Sequence, residues 1–272
     1  MRLDKASFTV FDVETTGLFP YSGDMICEIG AIRFEPGKKR VEKFHSLVDP
    51  KRPISRGAFM VNGITDRMVR GKPTIDKVLP DFLRFIDGSA LVAYNAGFDL
   101  GFIEQALGEG AHILDKYYII DALRLARRLF PDAGRYNLGS VAGHLGIDAE
   151  GEHRALADAL MTWKVFAKEL ELLKKEGVKT VQDIERVQVR RRPAASTVKD
   201  YKLKLIEEAI RDEKKLSIVY RSSWSSVLSR RTITPKRIQS GYDRSYIIAH
   251  CHLRGEERNF RVDCIVDASF EK

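Results

Sequence analysis

Five side chains in the first 160 residues have the types and spacing of a site for hard metal ions. Asp12 and Glu14 are two positions apart in an apolar run, so a β-strand would place both carboxylates on one face. Asp99 stands at a predicted strand-to-helix junction, and Asp158 stands near the start of a long predicted helix, five residues after His153. Like charges crowded at the end of an apolar strand are costly unless a cation or a proton intervenes.

Four carboxylates and one imidazole indicate Mg²⁺ or Mn²⁺, which prefer oxygen ligands completed by water and phosphate. Two such ions about 4 Å apart stabilise the attacking and leaving oxygens of a displacement at phosphorus. His153, with an ordinary pKa near ~6.5, suits removal of a proton from the attacking water. Thiolate-bound zinc is disfavoured because no cysteine or second histidine lies nearby in the sequence.

Each of these residues also has an ordinary structural interpretation. Asp12 and Glu14 could simply face water, and Asp99 alone could be a first-turn acid that complements the helix dipole. His153 alone could be a helix cap or a surface residue. The recurrence of matching acids favours the metal site.

The surrounding pattern predicts an α/β domain with a mixed sheet flanked by helices. Apolar, β-branched runs predict strands, and apolar residues at helical spacing predict helices. The predicted strands cover residues 7–13, 25–34, 40–48, 90–94 and 119–121. The predicted helices cover residues 74–86, 98–107, 122–130, 138–145 and 153–173.

The C-terminal third differs in charge and pattern. The net charge of +8 is distributed as −1 over residues 1–172 and +9 over residues 173–272, an asymmetry that suits a polyanionic partner. Residues 174–199 break the pattern, and the charged run at 190–192 followed by small residues is typical of a linker. That arginine run is either a phosphate contact or a solvated tether.

One amphipathic helix and several strands are predicted after this linker. Tyr201, Leu205, Ala209 and Ile210 share the helix face. The strand-like runs cover residues 216–220, 231–238, 246–251 and 259–266, which predicts a small β-barrel or sheet with one helix.

Composition excludes several classes of protein. A hydrophobic fraction of 44% is ordinary for a soluble protein, and no segment has the ~18 consecutive apolar residues of a membrane span. The N-terminus lacks the pattern of a signal peptide. Cys27, Cys251 and Cys264 are scattered without metal-type spacing, so a cytoplasmic location is expected.

Residues 7–172 resemble the DEDDh 3′→5′ exonuclease family, which includes the proofreading subunits of DNA polymerase III and has a ribonuclease-H-like fold. Asp12 and Glu14 match the first motif of the family, Asp99 the second, and His153 with Asp158 the third. The resemblance implies that the four acids bind two divalent ions and that His153 is the general base. It also implies the 3′→5′ direction and the release of nucleoside 5′-monophosphates.

The resemblance also implies a set of contacts to the terminal nucleotides of the substrate. Many relatives have a histidine where Asn62 stands, which affects this contact and not the metal chemistry. Phe98 is expected to act by stacking on a base. The full implied set is Thr15, Thr16, Val61, Asn62, Asn95 and Phe98.

Residues 202–270 are similar to WYL domains, which are small SH3-like barrels of bacterial regulators and nucleic-acid enzymes. The resemblance implies a pocket for a nucleotide or a single strand, in which arginine is the phosphate and base partner. The residues expected there are Tyr220, Arg231, Arg258 and Arg261. The same arginines could instead lie on a solvated strand face.

The sequence therefore predicts an exonuclease domain at 1–173, a basic linker at 174–199 and a WYL-like domain at 200–272. The expected substrate is a single-stranded 3′ end, with DNA favoured over RNA, and the expected partners include a polymerase or another repair protein. The alternatives are an RNA-trimming exoribonuclease and a non-catalytic or ligand-regulated nucleic-acid-binding protein. The pathway, the oligomeric state and the ligand of the second domain stay open.

Overall fold

The computed structural model describes residues 1–38, 40–148, 153–189, 196–221, 228–240 and 245–271. Two compact units are present, Met1–Arg190 and Arg191–Lys272. The predicted arginine run at 190–192 and its contact to phosphate lie outside the described residues. The two units are described separately below.

A mixed five-stranded sheet forms the centre of the first unit. Its strands are β1 (Phe8–Thr15), β2 (Ile26–Phe34), β3 (Glu42–Leu47), β4 (Ala90–Ala93) and β5 (Ile119–Asp121). They lie in the order β3-β2-β1-β4-β5, with β1, β2 and β3 antiparallel and β4 and β5 parallel to β1. This confirms the predicted α/β fold with a mixed sheet.

Helices cover both faces of this sheet. They are α1 (Arg56–Asn62), α2 (Asp66–Val69), α3 (Ile75–Ile86), α4 (Ala96–Leu107), α5 (Ala122–Leu129), α6 (Leu138–His144), α7 (Ala155–Lys175) and α8 (Val181–Val189). One apolar core lies between the sheet and α3 and α4, and a second lies between the sheet and α5, α7 and α8. No helix in the described part of the chain combines the length and apolar composition of a membrane span.

Helices α1 and α2 were not predicted from the sequence, and neither was the 3-10 segment Gly108–Lys116. The apolar side chains of α1, Phe59, Met60 and Val61, are exposed, so the helix has no buried stripe whose period a sequence could display. Helix α2 has only four residues, which is too short for a period to be recognised.

Gly30 on β2 lets the N-terminus of α7 approach the sheet. A Cβ atom built at this position would lie 2.2 Å from the backbone nitrogen of Leu156 and 2.3 Å from the carbonyl carbon of Ala155. Both are backbone atoms that cannot rotate away. Only glycine therefore allows the first turn of α7 to lie at this depth against β2, and that turn carries Asp158.

Helix α8 occupies part of the range that the sequence assigns to a linker. Val181 and Ile184 are fully buried in the core beneath α7, so residues 181–189 belong to the first unit. The amide of Gln188 also pairs with the outer edge of β5, donating to the Ile119 carbonyl at 2.6 Å and accepting from the Asp121 N–H at 2.9 Å. The charged composition of this helix resembles a linker because only one narrow side of it is buried.

The second unit contains one helix against an antiparallel sheet. Its elements are α9 (Ser196–Arg211), β6 (Leu216–Arg221), β7 (Leu228–Ser240), β8 (Ser245–Cys251), β9 (Glu256–Arg261) and β10 (Ile265–Phe270). Leu205 and Ala209 of α9 are buried against the sheet and Ile210 packs beside them, as the sequence predicts. The side chain of Tyr201 lies outside the described residues.

The predicted strand at 259–266 is wrong, and the predicted barrel is an open sheet. Residues Val262–Cys264 form a 3-10 turn that separates β9 from β10. The strand order is β10-β6-β7-β8-β9, so within the described residues β9 and β10 are the two edges and do not pair. Nothing in the sequence indicates this turn, because Val262 and Ile265, at its start and just after it, are both apolar and buried.

Replacement of Gly30 by alanine is expected to lower the free energy of unfolding by about 1–3 kcal/mol, because the new methyl group would overlap backbone atoms of α7. Urea denaturation followed by circular dichroism measures the change. Gly57→Ala is the matched control, since its Cβ would meet only Ser55 Oγ at 3.9 Å. In a helix this substitution should be neutral or stabilising by up to about 1 kcal/mol. Equal stability of the two variants would contradict the close approach of α7 to Gly30.

Candidate functional site

Asp12 and Glu14 lie on the face of β1 that is turned towards α7. The strand register places Asp12 opposite Gly30 and Glu14 opposite Glu28 on β2. Directly opposite residues in an antiparallel pair share a face of the sheet. Phe11 and Val13, which alternate with the two acids along β1, are buried in the core under α3 and α4. The two carboxylates thus point to the same side, as the sequence predicts.

Asp158 completes a group of three carboxylates at the start of α7. Asp12, Glu14 and Asp158 each offer one oxygen, and these oxygens all lie within 4.8 Å of one another. All three residues are half-buried. Carboxylate oxygens at this separation are suited to sharing hard divalent cations, with water and phosphate completing the coordination. The residues present therefore fit the metal chemistry that the sequence implies.

Asp99 lies beside this group and makes a different contact. It stands in the first turn of α4, is only 2% exposed, and accepts a hydrogen bond from the Val13 N–H at 3.0 Å through Oδ1. This bond fixes the carboxyl group against the strand that carries Asp12 and Glu14. The structure thus brings the four predicted acids into one region, three in a tight group and the fourth attached to β1.

Burial and mutual repulsion raise the pKa values of Asp12, Glu14 and Asp99. For Asp12 burial is the largest cause of a pKa well above the ordinary value, followed by repulsion from Asp99 and Glu14. Burial, with repulsion from Asp158, raises the pKa of Glu14 to about 7. Burial likewise raises the pKa of Asp99. Such a group is stable only when protons or cations offset its charge.

His153 is attached to the acid group through its main chain. Its N–H donates to Asp158 Oδ1 at 3.3 Å, and its backbone has the left-handed φ of +66°. Non-glycine residues in this conformation are strained and occur preferentially at functional positions. The side chain is exposed to solvent. Residues 149–152, which precede it, lie outside the described residues.

Three of the residues expected to contact the substrate use their polar atoms within the protein. The Thr15 hydroxyl donates to the Gly17 carbonyl at 2.5 Å, and the Thr16 hydroxyl lies between Asp24 and the Met25 N–H at 3.3 and 3.1 Å. The Asn62 amide donates to the Thr15 carbonyl at 3.3 Å and accepts from the Ile64 N–H at 3.0 Å. These bonds shape the turn after β1.

The other three expected contact residues differ in exposure. Val61 is 54% exposed beside this turn. Phe98 is half-buried and packs against Phe102 with ring centroids 5.1 Å apart. Asn95 has a left-handed φ of 72°, and its N–H donates to Asp121 Oδ1 at 3.2 Å, which fixes the junction of β4 with α4.

A buried ion pair next to the acids was missed by sequence reasoning. Glu28 is fully buried and accepts two-pronged hydrogen bonds from the Arg154 guanidinium, with Nε–Oε2 at 3.0 Å and Nη2–Oε1 at 2.6 Å. It also accepts from the Ala155 N–H at 3.0 Å and contacts His45 Nε2 at 2.7 Å. Burial alone would raise the pKa of Glu28, but these bonds together hold it below its ordinary value.

This ion pair fixes the first turn of α7 on β2. Arg154 and Ala155 directly follow His153, so Glu28 holds the main chain on the C-terminal side of the histidine while Asp158 binds its N–H. The available signal was a single acid inside an otherwise apolar strand, 26–34, together with an arginine next to His153. Nothing in the sequence showed that the two residues meet.

The four residues expected to bind a ligand in the second unit are divided between the faces of the sheet. The strand register places Tyr220, Arg231 and Arg258 on the face that α9 partly covers. On this face Arg231 donates to Ser229 Oγ at 3.1 Å, and Arg258 contacts Glu256 at 3.3 Å. Arg261 belongs to the opposite face, because its neighbour Phe260 is in the core. The Arg261 N–H donates to the Tyr220 hydroxyl at 3.4 Å.

A cavity of about 450 Å³ lies elsewhere in the second unit, between α9 and β10. Its lining residues are Lys204, Leu205, Glu208, Ser269 and Phe270. None of the four expected ligand-binding residues lines it.

Two family models match the chain. The model described as Exonuclease matches residues 9–166, and the model of the WYL domain matches residues 201–270. The first match includes Asp12, Glu14, Asp99, His153 and Asp158. Both resemblances inferred from the sequence are thereby confirmed.

Curated relatives are similar over about two thirds of the chain. A PolC-type DNA polymerase III of Clostridium perfringens is 42% identical over 180 residues, which cover 65% of this chain and 12% of the relative. A DNA polymerase III subunit epsilon-like protein of Rhodobacter capsulatus is 39% identical over 184 residues, which cover 65% of this chain and 26% of the relative. The chain thus spans a small part of these relatives.

Solved structures of exonucleases have the same fold. Exonuclease X in complex with 5′ overhanging duplex DNA has a TM-score of 0.53 and 27% identity, and the match covers 66% of this chain and 99% of that one. Exonuclease I of E. coli in complex with a dA16 oligonucleotide has a TM-score of 0.53 and 18% identity, covering 90% of this chain and 55% of that one. The second similarity shows the fold alone.

The Asp12→Asn variant is expected to be more stable than the wild type without metal, because it removes one of the mutually repelling acids. At pH 7.5 with chelator its melting temperature should rise by about 2–4 °C, equivalent to about 1 kcal/mol. Added Mn²⁺ should then stabilise the wild type more than the variant. Calorimetry with and without the ion measures both effects.

Folding raises the pKa of Glu14 to about 7, so the destabilisation by deprotonated Glu14 is full above about pH 7 and disappears below its unfolded value near ~4. The gain from Asp12→Asn should likewise be lost at low pH, because folding also raises the pKa of Asp12. Asp132→Asn, at an exposed position, is the matched control. It should change the melting temperature neither in chelator nor with Mn²⁺. A lower melting temperature for Asp12→Asn in chelator would refute the repulsion.

Removing Arg154 from the Glu28–Arg154 pair is expected to destabilise the protein more than removing Glu28. Arg154→Gln leaves a fully buried carboxylate without its main partner and should cost about 3 kcal/mol in the free energy of unfolding. Glu28→Gln leaves an arginine that is 39% exposed and can bind water, so about 1 kcal/mol is expected. Urea denaturation at pH 7 measures both, and an equal or reversed order would contradict the assignment.

Proposed function

Because the chain belongs to the exonuclease family, we propose that it is a 3′→5′ exonuclease that releases nucleoside 5′-monophosphates from single-stranded nucleic-acid ends. The observation that carries the proposal is the acid group. Asp12, Glu14 and Asp158 present oxygens within 4.8 Å of one another, and Asp99 is fixed alongside by the Val13 N–H. A non-catalytic binding protein would not need this costly concentration of carboxylates.

The acids hold two divalent ions, Mg²⁺ or Mn²⁺. All the donors are carboxylate oxygens, and Cys27, the nearest thiol in the fold's core, is buried with its pKa raised by burial, which disfavours a thiolate site. When bound, two such ions stabilise the attacking and leaving oxygens of an in-line displacement at phosphorus. The raised pKa values of the acids support this assignment, because cations remove the repulsion that causes part of the shift.

His153 is the general base of this reaction. Its imidazole takes a proton from the attacking water, whose oxygen forms the new bond to phosphorus. The bond from phosphorus to the 3′ oxygen of the preceding nucleotide breaks, and that oxygen leaves with a proton from solvent. The bond from the His153 N–H to Asp158 and the ion pair of Arg154 with Glu28 hold the main chain of this residue on both sides.

DNA is the preferred substrate. Of the relatives named above, one is a PolC-type DNA polymerase III and the other a DNA polymerase III subunit epsilon-like protein, and the solved structure at 27% identity contains DNA. The terminal nucleotides contact the surface around the turn after β1 and the start of α4. The residues proposed for this contact are Thr15, Thr16, Val61, Asn62, Asn95 and Phe98.

The second unit binds nucleic acid or a nucleotide. The C-terminal third carries the whole positive excess of the chain, which supports a polyanionic ligand. Arg231 and Arg258 on one face and Arg261 on the other are the proposed contacts. A polymerase or another repair protein is the proposed partner, since one similar protein is a PolC-type DNA polymerase III of which the match covers only 12%.

The test is the degradation of 5′-labelled single-stranded DNA and RNA with Mg²⁺ or Mn²⁺. The wild type should produce a ladder that shortens from the 3′ end, faster on DNA, and chelator should abolish it. Asp12→Asn should remove the activity because it removes a ligand oxygen. His153→Ala should lower kcat by about 10²–10⁴-fold, the usual effect of losing a general base.

His112→Ala is the matched control, because its exposed ring lies in another segment and contacts only the Glu109 carbonyl. It should retain wild-type kcat. If the wild type binds both strands and cuts neither, the enzyme assignment is wrong and a regulatory binding protein becomes the better account. Faster cleavage of RNA would instead correct the substrate.

A further inference from the structure

Positive charge is concentrated in one short segment of the first unit. Residues 50–72, which we call the α1–α2 lobe, contain six basic residues and one acidic residue, a balance of +5. The surrounding residues 1–172 have a balance of −1, so the rest of this region is negative. All six basic side chains are exposed: Lys51, Arg52, Arg56, Arg67, Arg70 and Lys72.

Most of this charge has no partner within the described residues. Lys51 pairs with Asp49 at 2.8 Å and Arg52 with Asp24 at 3.4 Å. In that part of the chain Arg56, Arg67, Arg70 and Lys72 form no salt bridge. Arg67 and Arg70 are three residues apart at α2 and therefore lie on one side of it. Exposed, unpaired arginines grouped in this way are suited to bind phosphates.

The lobe is hydrogen-bonded to the turn that directly follows Asp12 and Glu14. The Ser55 N–H, at the start of α1, donates to the Thr16 carbonyl at 3.1 Å. Asn62, at the end of α1, donates to the Thr15 carbonyl at 3.3 Å. Thr15 and Thr16 directly follow Glu14. Both ends of α1 are therefore fixed to the turn that follows two of the carboxylates. The Ile54 N–H donates to Asp66 Oδ1 at 2.9 Å, which holds the start of α2 against the segment before α1.

The lobe also presents apolar side chains next to its charge. Arg56, Phe59 and Met60 occupy positions i, i+3 and i+4 of α1 and so share one side of the helix. Phe59 is 44% and Met60 73% exposed. The lobe packs on the sheet through a small core in which Ile64 and Val69 meet Cys27 of β2. Phe59 and Met60 do not belong to that core, so another molecule is free to contact them.

We infer that the α1–α2 lobe binds the nucleotides upstream of the cleaved bond in a single strand, an inference that rests on the proposed exonuclease function. Arg56, Arg67 and Arg70 contact successive phosphates. Phe59 and Met60 contact the faces of unpaired bases, which a duplex would keep stacked. The lobe thereby extends substrate binding beyond the terminal nucleotides and favours single strands over duplex.

The test compares two double variants that remove the same charge. Arg67→Gln with Arg70→Gln changes the lobe. Lys174→Gln with Lys175→Gln changes two exposed lysines at the far end of α7, about 25 Å from Asp158 along that helix. Binding of a labelled 12-nucleotide single strand is measured by fluorescence anisotropy in chelator, where no hydrolysis occurs, over a range of salt concentrations.

The lobe variant should bind about 5–10-fold more weakly than the wild type, and the slope of log Kd against log salt should fall by about 1.4, the value for two lost phosphate contacts to a single strand. The control variant should show neither change. Arg67→Lys with Arg70→Lys should recover most of the affinity. With Mn²⁺, the lobe variant should hydrolyse the p-nitrophenyl ester of thymidine 5′-monophosphate at the wild-type rate, because this substrate has no upstream nucleotides.

Equal binding by the lobe and control variants would overturn the inference, while a ladder from the wild type would leave the exonuclease function intact. Equal competition by a duplex of the same length would overturn the preference for single strands. Loss of ester hydrolysis in the lobe variant would overturn the inference, because it would show that Arg67 and Arg70 act at the acid group and not on upstream nucleotides. If binding depends on the lobe and the wild type hydrolyses no substrate, the lobe is a binding surface and the proposed exonuclease function is wrong.

Discussion

Repulsion between carboxylates at one end of β1 is the constraint around which the first unit is built. Asp12 and Glu14 point to one face of the strand, Asp158 approaches from α7, and Asp99 is bound to the Val13 N–H. A fold that keeps such groups together must hold each of them by contacts elsewhere, since they do not attract one another. The neighbouring strand β2 provides much of that support.

Two residues of β2 provide it by opposite means. Gly30, opposite Asp12, has no side chain and so admits the backbone of α7. Glu28, opposite Glu14, adds a fifth carboxylate next to the group. Its pKa is lowered, whereas those of Asp12, Glu14 and Asp99 are raised, because Arg154, His45 and the Ala155 N–H bind it. One position allows the helix to approach and the other fixes it, so Asp158 is held close to two charges that repel it.

The acids were predictable from the sequence because strand alternation fixes the direction of Asp12 and Glu14 without knowledge of the fold. The mixed sheet and the long helix α7 were predictable because their apolar residues follow simple periods. The Glu28–Arg154 pair was not, since the two residues are 126 positions apart and only the packed structure joins them. Helix α1 was missed because its apolar residues face solvent, and the 3-10 turn after β9 was missed because Val262 and Ile265, at its start and just after it, are both buried.

The amide of Gln188 takes the place of a neighbouring strand on β5. It offers one donor and one acceptor to Ile119 and Asp121, at the edge where the sheet ends. An uncovered strand edge is a template for pairing with other chains. A chain cut at residue 173 would keep every acid of the site and yet expose this edge and the apolar surface under Val181 and Ile184. Helix α8 therefore protects the first unit from self-association by covering this edge. A fragment of the first unit that keeps this protection must extend to residue 189.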